Sequence, residues 1–87
     1  MSCTVRIASP LRSYTGEATV SAEGATVGEV LAHLEGRFPG MRFRMIDEQD
    51  RVRRHIRLFV NTTEVKALSD TVRDGDEIHL ICALSGG

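Results

Sequence analysis

Thr26-Val27-Gly28-Glu29-Val30-Leu31-Ala32-His33-Leu34-Glu35-Gly36-Arg37-Phe38 is the most strongly patterned stretch of this 87-residue chain. Thr26, with Glu29 three residues on, forms a capping box, which satisfies two backbone N–H groups that a helix start otherwise leaves without partners. Val27, Val30, Leu31, Leu34 and Phe38 recur at helical spacing and give one apolar face. Gly36 weakens the pattern and Pro39-Gly40 ends it. The spacing predicts a helix over 27–38 that must bury one side against another layer.

On both flanks the period changes to two. Thr4-Val5-Arg6-Ile7 alternates polar and apolar residues, as a half-buried strand does. Ser9-Pro10 interrupts it, Tyr14-Thr15-Gly16 reads as a turn, and Glu17-Ala18-Thr19-Val20-Ser21 resumes the alternation, which predicts a hairpin. Beyond the helix, Met41, Phe43, Met45 and Ile46 fit a short helical turn or a packed loop, and Asp47-Glu48-Gln49-Asp50-Arg51 fits an exposed one. In His55-Ile56-Arg57-Leu58-Phe59-Val60 the strand period returns, with Ile56, Leu58 and Val60 on one face. Asn61 to Glu64 reads as a turn, with Val65 beginning a brief edge strand. Asp74-Gly75-Asp76 is a turn before a last strand, Glu77 to Ala83, which puts Ile78, Leu80 and Cys82 on one face and His79 and Ile81 on the other. Hairpin, helix, strand, short strand, strand is the order of an α+β domain with one main helix across a mixed sheet of four to five strands. The path from the second strand through the helix to the third has the length of a crossover connection. Residues 1–83 are expected to form this single domain, with 84–87 as a flexible reactive tail.

Composition narrows the function. Hydrophobic residues make up 41% and charged residues 26%, ordinary values for a globular protein. The formal net charge of −1 gives no support to a nucleic-acid or anionic-membrane partner. The start of the chain lacks a basic leader and no run approaches a membrane span of about 20 apolar residues, so a cytoplasmic location is expected. Cys3 and Cys82 lie far apart in sequence and without metal-ligand spacing; neither a disulfide nor a metal site is expected. His33, His55 and His79 have no carboxylate or nucleophile partner in the pattern, and no residue is assigned to catalysis. Arg42, Arg44, Arg51, Arg53, Arg54 and Arg57 are interrupted by Asp47, Glu48 and Asp50, the pattern of a solvated mixed-charge loop, with partner docking as the sharper alternative.

The sequence as written closes on Leu84-Ser85-Gly86-Gly87. Gly86 and Gly87 have no Cβ, so this thread can enter a narrow site with its backbone close to the walls. With Arg57-Leu58-Phe59-Val60-Asn61 and Val72-Arg73-Asp74-Gly75-Asp76-Glu77-Ile78 before it, the chain resembles the small sulfur carriers of the MoaD/ThiS family, the prokaryotic relatives of ubiquitin, over nearly its whole length. The resemblance implies the ubiquitin-like β-grasp fold and a protein that serves as substrate of other enzymes. A ubiquitin-activating-type adenylyltransferase and sulfurtransferase would use ATP to adenylate the Gly87 carboxylate. A sulfur donor would displace AMP, and the resulting thiocarboxylate would pass its sulfur to a biosynthetic enzyme. No cofactor would be bound by the carrier itself. Leu84, Ser85, Gly86 and Gly87 would enter the partner, without prior proteolytic trimming. Phe59, His79 and Ile81, facing away from the core on neighbouring strands, would form an exposed patch on which the partner docks.

Thiamine carriers usually lack a segment like Met41 to Arg54, and molybdopterin-synthase small subunits often carry prolines where this chain has Ile81-Cys82-Ala83-Leu84. The pattern looks closest to carriers of the CysO type, which supply sulfur for cysteine or another sulfur-containing metabolite. The alternatives are a molybdopterin-synthase small subunit and a modifier conjugated through Gly87 to lysines of target proteins. Lys66 is the only lysine of the chain itself.

Overall fold

The structure, a computed structural model, describes residues 2–82. The predicted helix is present as α2 (Val27–Arg37), with Phe38 as its C-cap. Thr26 accepts a hydrogen bond from the Glu29 backbone N–H at 3.2 Å, while the Glu29 carboxylate reaches one residue further back than a standard capping box, to the Ala25 N–H at 2.8 Å. The Val27 and Gly28 N–H groups donate to the Asp70 and Leu68 carbonyls at 3.0 and 2.8 Å. The connection 66–72 is therefore moored on the positive end of the helix.

Five strands form one sheet in the order β2-β1-β5-β3-β4. Here β1 is Ser2–Arg6, β2 Thr19–Glu23, β3 Ile56–Val60, β4 Thr63–Glu64 and β5 Glu77–Cys82. β1 and β5 lie side by side in parallel at the centre, and every other pairing is antiparallel. The sheet is thus mixed, with α2 in the crossover from β2 to β3, the β-grasp arrangement. On its inner face Val5, Val20, Ala22, Leu58, Ile78 and Leu80 are buried against Val27, Val30, Leu31 and Leu34 of α2, all four fully enclosed. Each such aliphatic side chain contributes about 1.5–3 kcal/mol on burial.

Several local expectations shift. Where Tyr14-Thr15-Gly16 suggested a bare turn, a 3₁₀ turn at Ser9–Leu11 runs into a short helix α1 (Arg12–Thr15). Pro10 suits the start of such a turn, buried Leu11 draws it onto the core, and Gly16 ends it at φ +72°. The second strand begins at Thr19 instead of Glu17 and runs to Glu23, so Val20 and Ala22 face inward while Ala18 is left exposed before it. The edge strand is Thr63–Glu64, so Val65 lies beyond it, although its N–H still donates to the Leu58 carbonyl at 2.8 Å. Of the two readings of 41–46, the helical one holds: α3 (Met41–Met45) buries Met41 and Met45 completely and Ile46 follows them into the core.

Candidate functional site

The expected patch lies on the outer face of the sheet, opposite α2. Strand alternation turns Arg57 and Phe59 of β3, and Glu77, His79 and Ile81 of β5, toward this face. Phe59 is the direct cross-strand partner of His79, and Arg57 that of Ile81. Phe59, His79 and Ile81 are therefore brought together as expected. Phe59 and His79 differ from the expected exposed patch in one respect: both are half-buried. For Phe59 the cause is its place in the sheet. Its strand sits between β5 and β4, so neighbours on both sides cover its flanks. Ile81 remains 46% exposed because its only paired neighbour on this row is Arg57.

A polar clasp borders the patch on the β1 side. Arg6 is the register partner of His79, and the Glu77 carboxylate oxygen Oε1 accepts from Arg6 Nε at 3.1 Å and lies 3.2 Å from His79 Nε2. The hydrogen bond from Arg6, then its charge and the neighbouring His79, hold the Glu77 carboxyl below the usual carboxylate range. All three side chains are partly open to water, so the clasp orients His79 more than it stabilises the fold.

Pairing between β1 and β5 stops at Arg6 and His79, short of Cys82. There the chain after β1 turns away, and an open groove of about 450 Å³ separates Ile7, Pro10 and Arg12 from Leu80, Ile81 and Cys82. Arg12 is fixed in its wall by donating from Nε to the Ile7 carbonyl at 3.0 Å. Cys82 is half-buried, and burial pushes its thiol above its ordinary pKa. At neutral pH it is a protonated packing residue and a poor nucleophile. Cys3 is buried beside the opposite end of β5 and is likewise raised, by burial first and by Asp76 second. The two cysteines are free, as their spacing predicted.

The sequence motifs that carried the resemblance turn out to build the other end of the sheet. Asn61 accepts from the Glu77 N–H at 3.0 Å and donates its amide to Asp76 at 3.1 Å. Asp76 also accepts from the Arg73 N–H at 2.9 Å, and both contacts hold its carboxyl below the usual range, that of Arg73 most. Asp74 accepts from the Ser2 N–H at 3.0 Å, across a turn that Gly75 makes at φ +88°. The Val-Asn and Asp-Gly-Asp motifs are therefore one clasp that sets the β3–β5 register.

The arginine-rich segment is mostly committed locally. Arg42 pairs with Asp50 at 3.3 Å, Arg57 with Glu64 at 3.3 Å, and Arg44 donates to the Tyr14 hydroxyl at 2.8 Å. His33 accepts from the Glu23 N–H at 2.8 Å and ties α2 to β2. Among the described residues no cluster of three His, Cys, Asp or Glu side chains could hold a metal ion, and no helix is long and apolar enough to cross a membrane. Leu84, Ser85, Gly86 and Gly87 lie outside the described residues, as does Ala83 at the expected end of β5.

The ThiS family profile matches residues 5–87. The chain belongs to the ThiS family. It is 33% identical to the sulfur carrier protein CysO of Mycobacterium tuberculosis over the whole of both chains. The crystal structure of that CysO superposes with a TM-score of 0.89 at 32% identity, covering 94% of this chain and 99% of the other. A chain of the Amycolatopsis orientalis BexX/CysO complex gives 0.90 at 37% identity, over 98% and 99%. SAMP1 of Haloferax volcanii gives 0.84 at 29% identity, over all of both chains. The ubiquitin-like sulfur-carrier resemblance and its CysO-like character, read from the sequence, therefore hold for this ThiS-family chain, and so does the β-grasp fold.

Proposed function

We propose that this ThiS-family protein carries sulfur as a thiocarboxylate on Gly87. What supports the reading most is end-to-end similarity to CysO, a sulfur carrier, in a chain whose last four residues are Leu84-Ser85-Gly86-Gly87. An α-carboxyl group with a pKa of about 3.3–3.7 is ionised at neutral pH and can attack the α-phosphate of ATP. The same charge makes it a poor electrophile. Adenylation, with loss of pyrophosphate, converts it into an acyl group bearing a good leaving group. A sulfur nucleophile then displaces AMP, and one carboxyl oxygen leaves with the phosphate. The carrier acts as co-substrate in both steps: an ATP-using adenylyltransferase activates it and a sulfur-accepting biosynthetic enzyme unloads it. Phe59, His79 and Ile81 form the surface on which the activating partner docks. CysO of A. orientalis occurs in a complex with BexX, which supports docking on a partner protein. The acceptor reaction forms cysteine or another sulfur-containing metabolite.

Intact-mass analysis after incubation with the activating enzyme, ATP and a sulfur source tests this. The expected product has one oxygen replaced by sulfur, localised by fragmentation to Gly87. Sulfur placed elsewhere, or none, would overturn the proposal. The similarity to SAMP1, a small archaeal modifier protein, favours one second reading, in which an amine of a target protein attacks the same acyl-adenylate. Isopeptide-linked Gly87 in cell extracts, without thiocarboxylate, would establish that reading instead.

A further inference from the structure

Gly87 lies five residues beyond Cys82, and a fully extended chain of that length reaches about 17 Å. A protein that takes Gly87 into its own site must therefore lay its surface over the end of the sheet where Cys82 sits. Ile56 is paired with Cys82 at that end, and the turn leading into Ile56 carries Arg53 and His55. Next to them opens a groove of about 590 Å³, lined among others by Tyr14, Phe43, Arg44, Glu48, Arg53 and His55.

Phe43 stands 58% exposed in this groove; among the described residues Ile81 is the only other large apolar side chain so placed. The ring is held in place. The Arg53 guanidinium stacks 4.5 Å from its centroid, and Arg53 Nε donates to the Phe43 carbonyl at 2.6 Å. Arg44 is pinned by Tyr14. Aromatic residues and arginines are the types enriched at protein interfaces. Fixed as they are here, they lose little rotamer freedom on binding. Arg44 and Arg53 face the single carboxylate Glu48, so the groove is positive although the chain as a whole is not.

We propose that this groove is a second contact surface for the enzyme that adenylates Gly87, receiving an acidic segment of that enzyme with an apolar side chain against Phe43. The proposal rests on the assignment of Gly87 as the adenylated group. It adds a contact on the helical side of Cys82 to the patch on the outer face of the sheet. A standard interface takes about 800 Å² from each partner, more than the three patch residues supply.

The test is ATP–pyrophosphate exchange by the purified adenylating enzyme, with the whole chain as the varied substrate. Phe43→Ala and Arg44→Glu alter exposed groove positions, and thermal melts report whether each variant is folded. The expected result is a KM raised about tenfold for each, as for an interface anchor, with kcat within about twofold. The KM of the unaltered protein should rise with salt and that of Arg44→Glu should rise less. Unchanged KM in both folded variants overturns the groove while leaving the Gly87 reading intact. Effects confined to the sulfur-accepting step also overturn it. Exchange that survives deletion of Gly87 removes the Gly87 reading and this proposal together.

Discussion

Ile81 offers the sharpest test of the outer face. Fully burying an isoleucine is worth about 1.5–3 kcal/mol, and 46% of this residue is still exposed in the free protein. Completing its burial in a complex therefore contributes about 1 kcal/mol, or about fivefold in Kd. Ile81→Ala should weaken binding to the adenylating enzyme by that factor. Ile81→Lys goes further, because Arg57 is its direct cross-strand partner. Two like charges would then stand side by side in a surface that must lose water, and about a further tenfold loss is expected. The fold should survive both changes, since strand propensity spans only about 1 kcal/mol and the inner face is untouched. Isothermal titration at fixed salt measures the effect. Thr19→Ala, an outward-facing change on the far edge strand β2, serves as the control. A folded Ile81→Lys variant that binds as tightly as the unaltered chain would refute the assignment of this face.

Two further outcomes concern stability. Thr26→Ala removes the side-chain acceptor for the Glu29 N–H and should cost about 1 kcal/mol, read as a Tm lowered by about 5 °C. Glu35, Asp47, Asp76 and Glu77 are all held below the ordinary carboxylate range, in each case mainly by hydrogen bonds to the charged form. The folded state binds fewer protons there than the unfolded chain, whose carboxyls titrate at about 4. Their stabilisation is complete above that value and is lost as pH falls through the lower native pKa values. Asp76→Asn, which weakens the clasp to Arg73 and Asn61, should lower Tm at pH 7 and flatten its fall as pH drops below about 4. An unaltered acid limb in that variant would exclude Asp76 as a contributor.

The regular elements were legible because each carries its own period. In α2, Val27, Val30, Leu31 and Leu34 announce a helix and all four are fully enclosed. In β5, Ile78 and Leu80 alternate with His79 and Ile81, and the faces fall as the alternation requires. Phe43 is harder to place, because its apolar character alone groups it with Met41, Met45 and Ile46. Positions i and i+4 of a helix share a face whereas i+2 points nearly opposite, so once 41–45 is helical, burying Met41 and Met45 forces Phe43 outward. That signal was present in the spacing, but choosing between helix and loop required the surrounding core.

Taken alone, the sequence determined the order of elements, the faces of the helix and strands, the absence of a cysteine pair and the family resemblance. These follow from local periodicity and from the chemistry of short motifs. The tertiary structure alone decided which rows meet across strands, and so set Phe59 against His79 and Ile81 against Arg57. It also brought α1, α3 and the turn before β3 together around Phe43. Register and long-range packing depend on all elements closing on one core, and no single stretch of sequence contains that information.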